Sequence, residues 1–214
     1  KSIPKSLAII VRNIQIKIER LNVHFINSQN LFLLKNKTGS VKARPQSSLT
    51  NLMADITLKM GQEQTKTPID FALMNYGGIR SSLPKGNITL GDIYQLMPFD
   101  NQISLLQIHS DSLISMLNYI KPRGGEPVSG LEIWYDETTI RCQVNGKPLD
   151  KSKTYWLATS DYLANGGDDL EILKTIPQEN KNILLRDVFI SLFKTSLSDG
   201  NPLNSKLDNR VRYE

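Results

Sequence analysis

From Ser48 onward, apolar residues fall at Leu49, Leu52, Met53, Ile56 and Met60, the three-and-four spacing that turns one face of a helix toward a core. Ser47 or Ser48 can cap this helix, and Gly61 reads as its end. "IDFALMNY" is apolar on both parities, which predicts a strand covered on both faces. "GNIT" predicts a short edge strand, and "TLGDIYQLM" a helix with Thr89 and Asp92 at capping-box spacing, stopped by Pro98. "QISLLQIH" reads as a strand and "SDSLISMLNYI" as a helix capped by Ser110. "VSGLEIWYD" and "TIRCQVNGKPL" read as two strands, the second ending in a turn at Asn145 and Gly146. "TYWLATSDYL" is a strand running into a glycine-rich loop, "NILLRDVFISLFKTSL" predicts a closing helix, and "NRVRYE" a last strand. Nearer the start, Leu7, Ile10, Val11, Ile14, Ile18 and Leu21 favour a helix, although Ile14, Ile16 and Ile18 also alternate as a strand would. "VHFINSQNLFLL" then reads as strand and "NKTGSVKARPQ" as loop. Helices and strands alternate in mixed order without regular βαβ units, which predicts an α+β fold.

With 39% hydrophobic residues among 214, the chain can fill one sizeable core. No apolar run approaches the roughly 20 residues that a membrane-spanning helix needs. The single cysteine, Cys142, excludes an internal disulfide, and its strand-like setting suits a buried, inert thiol. The net charge of +5 is concentrated at one end. Between Lys1 and Ser48 stand nine lysines and arginines against one acidic residue, Glu19, and the remainder is slightly acidic. Such a segment suits a solvated basic face, and also a surface for phosphates or an acidic partner.

Three stretches combine apolar anchors with glycine, aromatic or charged groups: "NYGGIR", "LMPFDNQ" and "SDYLANGGDD". Each alone reads as a turn or a polar loop. Together they offer two rings (Phe99 and Tyr162), two amides (Asn75 and Asn101), one guanidinium (Arg80) and one carboxylate (Asp168). A nucleobase is held by rings on its faces, a ribose by a carboxylate that accepts from its hydroxyls, and a phosphate by an arginine fork. That inventory points to a nucleoside or nucleotide. Adjacent glycines at Gly77 and Gly78 suit a backbone that something approaches closely.

"MNYGGIR", "GNITLGDIYQLMPFDN", "VSGLEIWYD" and "DYLANGGDDL", in that order and spacing, resemble the signature blocks of the C-terminal, substrate-binding domain of 5′-nucleotidases. The resemblance covers Arg44 to Arg212. It implies an α/β/β/α layered domain over residues 44–214, preceded by a basic, connector-like helix and strand over residues 1–43. It further implies that Phe99 and Tyr162 clamp the base, Asn75 and Asn101 meet its edge, Asp168 accepts from the ribose, and Arg80 reaches phosphate or ribose. Gly77 and Gly78 would let the ligand lie against the main chain, and Arg44 stands nearest to a basic residue expected before the first helix. Where Tyr162 stands, family members commonly carry phenylalanine; Gln46, Thr50 and Asp169 are further departures from the common glutamate, glycine and glycine.

In that family the hydrolysis belongs to a separate metallophosphatase domain with two metal ions. The motifs of such a domain are not in this sequence, whose two histidines, His24 and His109, have no acidic or amide cluster at ligand spacing. There is no GxSxG elbow and no P-loop, and the Ser160–Asp161 pair has no neighbouring base. The expectation is a nucleotide-recognition domain without a cofactor of its own, divalent metals residing only on a metallophosphatase partner. Kinship implies an extracytoplasmic location, periplasmic or cell-surface. Two other readings stay open: a fragment of a complete two-domain 5′-nucleotidase, and a basic module for nucleic acid or an anionic surface with a degenerate pocket.

Overall fold

The structure, a computed structural model, describes residues 32–36, 41–84, 86–198 and 207–214. The expected helix at Leu7 to Leu21 lies outside these residues. A five-stranded sheet forms the centre, made of β2 (Phe71–Leu73), β4 (Gln102–His109), β5 (Val128–Ser129), β9 (Thr154–Ser160) and β10 (Gln178–Leu184). Its strands lie in the order β10-β4-β9-β2-β5. A four-stranded sheet consists of β6 (Leu131–Tyr135), β7 (Ile140–Val144), β8 (Lys147–Pro148) and β11 (Val211–Tyr213), in the order β11-β6-β7-β8. A two-stranded ribbon pairs β1 (Phe32–Asn36) antiparallel with β3 (Gly86–Thr89).

Period-two alternation gives the central sheet two apolar faces. From β4, Ile103 and Leu105 enter one core together with Leu49, Met53 and Met60 of α1 (Ser48–Glu63) and Ile93 of α2 (Leu90–Leu96). Leu106 and Ile108 enter the other, with Leu113 and Leu117 of α3 (Ser110–Ile120) and Leu131, Ile133 and Tyr135 of the second sheet. Two short helices, α4 (Asp161–Ala164) and α5 (Glu171–Lys174), add Leu163 and Leu173 to this second core. The closing helix α6 (Leu185–Ser198) returns Phe189 and Phe193 to the first. Full burial of each such side chain contributes about 1.5–3 kcal/mol. This is the mixed, layered α+β architecture expected. Arg210, largely buried, ties the layers by donating to Asp55 of α1 and to the Val128 carbonyl of β5.

Several local expectations hold. Ser47 caps α1 through a capping box with Thr50: the Thr50 N–H donates to Ser47 Oγ at 3.1 Å and the Ser47 N–H to Thr50 Oγ1 at 2.7 Å. Thr89 and Asp92 form the box that opens α2. Asn145 and Gly146, with φ of 50° and 73°, turn β7 into β8 as an Asn-Gly hairpin does. Cys142 is buried and in no disulfide, its thiol donating to the Gln143 carbonyl at 3.6 Å, and desolvation pushes the thiol up to about 12.

Others are corrected. The strand in "IDFALMNY" is confined to Phe71–Leu73, because the chain turns at Tyr76–Gly78. Ser110 does not cap α3: His109 does, its Nδ1 accepting from the Asp111 N–H at 3.3 Å, while Ser110 donates to the Lys151 carbonyl. Residues 182–184 of the expected closing helix belong to β10, where pairing with β4 overrides the helical pattern, with an irregularity between Asn180 and Leu184. Gly61 does not end α1 but sits inside it, buried against the sheet.

A Cβ on Gly61 would stand 2.7 Å from Ala158 Cβ, so glycine here sets how closely α1 approaches β9. Gly61→Ala should therefore lower stability by about 1 kcal/mol: overpacking costs roughly 1–3 kcal/mol, against about 1 kcal/mol of gained helix propensity. Urea denaturation measures the difference, and a variant more stable than wild type would show that the helix can ride outward freely.

Candidate functional site

The register of the central sheet brings three chain segments to one edge. β9 runs parallel to β2 and antiparallel to β4, so the exits of β2 and β9 lie beside the entry to β4. Asn75 to Arg80 follow β2, Phe99 and Asn101 precede β4, and Tyr162 follows β9. Between them lies a cavity of about 310 Å³ lined by Asn75, Gly77, Arg80, Phe99, Asn101, Tyr162 and Asp168, at the lower end of the roughly 300–1,000 Å³ usual for small-molecule sites. Phe99 and Tyr162, 49% and 43% exposed, are among the few large apolar side chains that the fold leaves open to solvent. Seven of the nine residues singled out from the sequence thus share one wall system; Gly78 and Arg44 stand outside it. Gly78 is required for another reason: a Cβ there would meet Asn75 Oδ1 at 2.6 Å, so its bareness seats the buried Asn75 amide.

Each wall is braced from behind. One carboxylate oxygen, Asp161 Oδ1, accepts the Gln102 N–H at 3.0 Å and the Tyr162 N–H at 2.9 Å, joining the two segments that carry the rings. Arg186, 6% exposed at the start of α6, donates to the Met97 carbonyl at 3.0 Å and the Phe99 carbonyl at 3.3 Å and pairs with Asp100. Its guanidinium also lies 4.3 Å from the centre of the Tyr94 ring. The Leu185 N–H holds the Asn101 carbonyl at 2.9 Å. On the opposite side Glu126, buried, accepts from the Tyr76 N–H and from Arg44 Nη2 at 2.9 Å. Burial raises the Glu126 pKa above its usual value even though Tyr76, Arg44 and Arg123 favour its charge. Arg123 donates to the Asp168 carbonyl.

Arg80 of the cavity wall belongs to a basic cluster with Lys42 and Arg44. Lys42 Nζ donates to the Ile79 carbonyl at 2.7 Å, and Arg80 Nη1 to the Gly77 carbonyl at 3.2 Å. Lys42 and Arg44 lie 4.3 and 4.5 Å from the centre of the Tyr76 ring. Burial, then the charges of Arg80 and Arg44, hold the Lys42 ammonium below its ordinary pKa. Opposite them, Tyr162 lies flat over Gly167, where a Cβ would come within 2.5 Å of the ring. Its hydroxyl donates to Asp168 Oδ1 at 2.9 Å and accepts from the Asp168 N–H at 3.1 Å. This pairing accompanies a left-handed Asp168, φ 52°, a conformation that costs an aspartate little.

Asp161, Arg186, Glu126 and Arg123 are not among the site residues read from sequence. Asp161 gives a signal, an acidic residue just before an aromatic at a strand exit, but the pattern suggests chemistry and not bracing. Arg186 shows only as a charged residue on an apolar helix, and Glu126, between Gly125 and Pro127, gives none. Among the described residues no group of three or more His, Cys, Asp or Glu comes together as a metal site, and His109 is occupied as a helix cap, so the donors described do not fit a metal centre.

The layered fold is that of one protein family, and the chain belongs to the 5′-nucleotidase family as its C-terminal domain: the model of "5'-nucleotidase, C-terminal domain" matches residues 27–175. An apyrase of Tabanus yao is 32% identical over 131 residues, covering 50% of this chain and 24% of that protein. Protein UshA of Yersinia enterocolitica is 27% identical over 153 residues, covering 66% and 28%. The crystal structure of a 5′-nucleotidase precursor from Thermus thermophilus superposes with a TM-score of 0.76 at 25% identity, over 88% of this chain and 40% of that one. The NAD nucleotidase of Haemophilus influenzae shares the fold, with a TM-score of 0.72 at 16% identity, over 92% of this chain and 40% of that one. The chain thus spans about a quarter of the length of the two curated relatives, the apyrase and UshA.

Two outcomes follow from the bracing. Asp161→Ala should speed hydrogen exchange at both the Gln102 and Tyr162 amides, whereas Asp161→Asn, which keeps an accepting oxygen, should protect both; unequal changes at the two amides would break the shared-acceptor account. The Tyr162 phenol titrates above its ordinary pKa. The Asp168 N–H favours the phenolate, but donation to the Asp168 carboxylate, desolvation and the charges of Asp168 and Asp169 outweigh it. A raised folded-state pKa means that this hydroxyl's contribution to stability is complete below the unfolded pKa and is lost as pH rises through the folded one. Asp168→Asn should move the phenol's ultraviolet titration to lower pH, with Tyr162→Phe subtracted to isolate the signal.

Proposed function

We propose that this chain is the nucleoside- and nucleotide-recognition domain of a 5′-nucleotidase-type hydrolase, and that it presents substrate to a metallophosphatase domain, joined to it or carried by a second chain. In this reading Phe99 and Tyr162 cover the two faces of the base, the Asn75 and Asn101 amides meet its edge, Asp168 accepts from the sugar, and Arg80 takes the phosphate with Lys42 nearby. The observation that carries the reading is the convergence of two half-exposed rings, two amides, a guanidinium and a carboxylate on one cavity of about 310 Å³. Each matches one part of a nucleotide: aromatic stacking for the base, a charge-assisted bond for the sugar, an arginine for the phosphate. Arg44 acts behind the site, since its guanidinium is already engaged by Glu126.

The chemistry of hydrolysis lies elsewhere in this reading. Metal ions, when bound on the partner, supply polarisation of the phosphoryl group and activation of water. The present chain binds and orients, and it has no cofactor of its own. Among the described residues no helix is long and apolar enough to cross a membrane. Membership of the 5′-nucleotidase family supports substrates of the nucleotide class, and a place outside the cytoplasm, periplasmic or cell-surface, is part of the same proposal.

Calorimetric titration with adenosine, AMP and UDP-glucose tests the proposal. Wild type should bind at least one of them, and Tyr162→Ala should weaken that binding about tenfold or more, as expected where stacking supplies roughly 1–3 kcal/mol. Equal affinity in the variant would remove the clamp. Metal-dependent phosphate release by this chain alone would overturn the division of labour.

A further inference from the structure

The sugar end of the cavity has a feature that the assignment of Asp168 to the ribose does not use. The Tyr162 hydroxyl and Asp168 form a closed two-bond ring: the hydroxyl donates to Oδ1 at 2.9 Å while the Asp168 N–H donates to the hydroxyl at 3.1 Å. Oδ1 is therefore already engaged by a group of the protein itself. The other oxygen, Oδ2, lies 3.9 Å from the point where Gly77 would carry a Cβ, so it points across the cavity toward the opposite wall. Turning the carboxylate to offer both oxygens would break the tyrosine bond. It is also resisted from behind: Arg123 holds the Asp168 carbonyl, and the ring of Tyr162 is seated on Gly167.

A vicinal diol is held best when its two hydroxyls donate to the two oxygens of one carboxylate, because each bond to a charged acceptor is of the strong class. The tyrosine fills one of the two acceptor positions of Oδ1 and sets its own ring beside that oxygen, so Oδ2 is the oxygen that the diol reaches best, and either hydroxyl alone can use it. We infer that the Tyr162 hydroxyl is a specificity-determining group: by occupying Asp168 Oδ1 it removes the preference for ribose over deoxyribose, so the site takes ribonucleosides and 2′-deoxyribonucleosides alike. The inference rests on the nucleoside reading of the cavity. It concerns the hydroxyl and not the ring, which Tyr162→Phe retains.

The experiment titrates adenosine, 2′-deoxyadenosine and 2′,3′-dideoxyadenosine into wild type and Tyr162→Phe, with thermal melting of both to establish that each is folded. Wild type should bind the first two within about threefold of one another. It should bind the dideoxynucleoside, which leaves Oδ2 without a donor, roughly tenfold more weakly, as the loss of one hydrogen bond to a charged group implies. In Tyr162→Phe the tyrosine proton no longer competes for Oδ1, the two carboxylate oxygens become equivalent acceptors for the diol, and adenosine should gain roughly tenfold over 2′-deoxyadenosine. A wild type that already prefers adenosine by that margin, an unchanged ratio in the variant, or a dideoxynucleoside bound as well as adenosine each overturns the inference while leaving nucleoside binding intact. Binding of none of the three by wild type overturns the inference, and failure of AMP and UDP-glucose as well overturns the reading on which it rests.

Discussion

The pairing of β9 between β2 and β4 is the constraint on which everything else depends. Because one neighbour is parallel and the other antiparallel, two strand exits and one strand entry meet at a single edge, and the side chains just beyond them converge. Each strand is buried on both faces by a separate core, so a slip in register would turn apolar side chains toward the wrong layer. The loops at that edge are therefore set by the packing of the whole domain. Gly61 shows the tolerance: α1 lies so near the sheet that one methyl group would displace it.

Buried ions do the fine positioning. Arg186, Glu126 and Arg210 are removed from water to differing degrees, and each is answered by carbonyls or an opposite charge. Removing one partner of such a group is costly, because the other is left desolvated. Two of the three sit directly behind the cavity, one on the Phe99 segment and one on the Tyr76 turn. Their placement fits rigidity at a site better than stability alone, since apolar residues of equal size often stabilise a fold as well.

The sequence is most informative where local rules and tertiary demand agree. The capping boxes of α1 and α2, the Asn-Gly hairpin and the eight-residue strand β4 all follow from patterns a few residues long. The walls of the cavity are legible because rings, amides and charges next to strand ends are poor core material and need another use. What escapes depends on contacts distant in sequence. The last three residues of β10 look like the start of a helix until β4 is beside them, and Gly61 looks like a stop until Ala158 stands opposite. Arg186 and Glu126 are single charged residues whose partners lie 40 or more positions away, except for Arg123, and no short motif encodes them.

Nearly half of the Phe99 and Tyr162 surface meets water in the isolated chain, on segments whose backbones are already fastened. On the proposed reading, a flat ligand between them would release that hydration without ordering much of the protein, so its association would carry a negative heat-capacity change and only a small conformational-entropy penalty. Differences among such ligands then fall chiefly on how fast they leave.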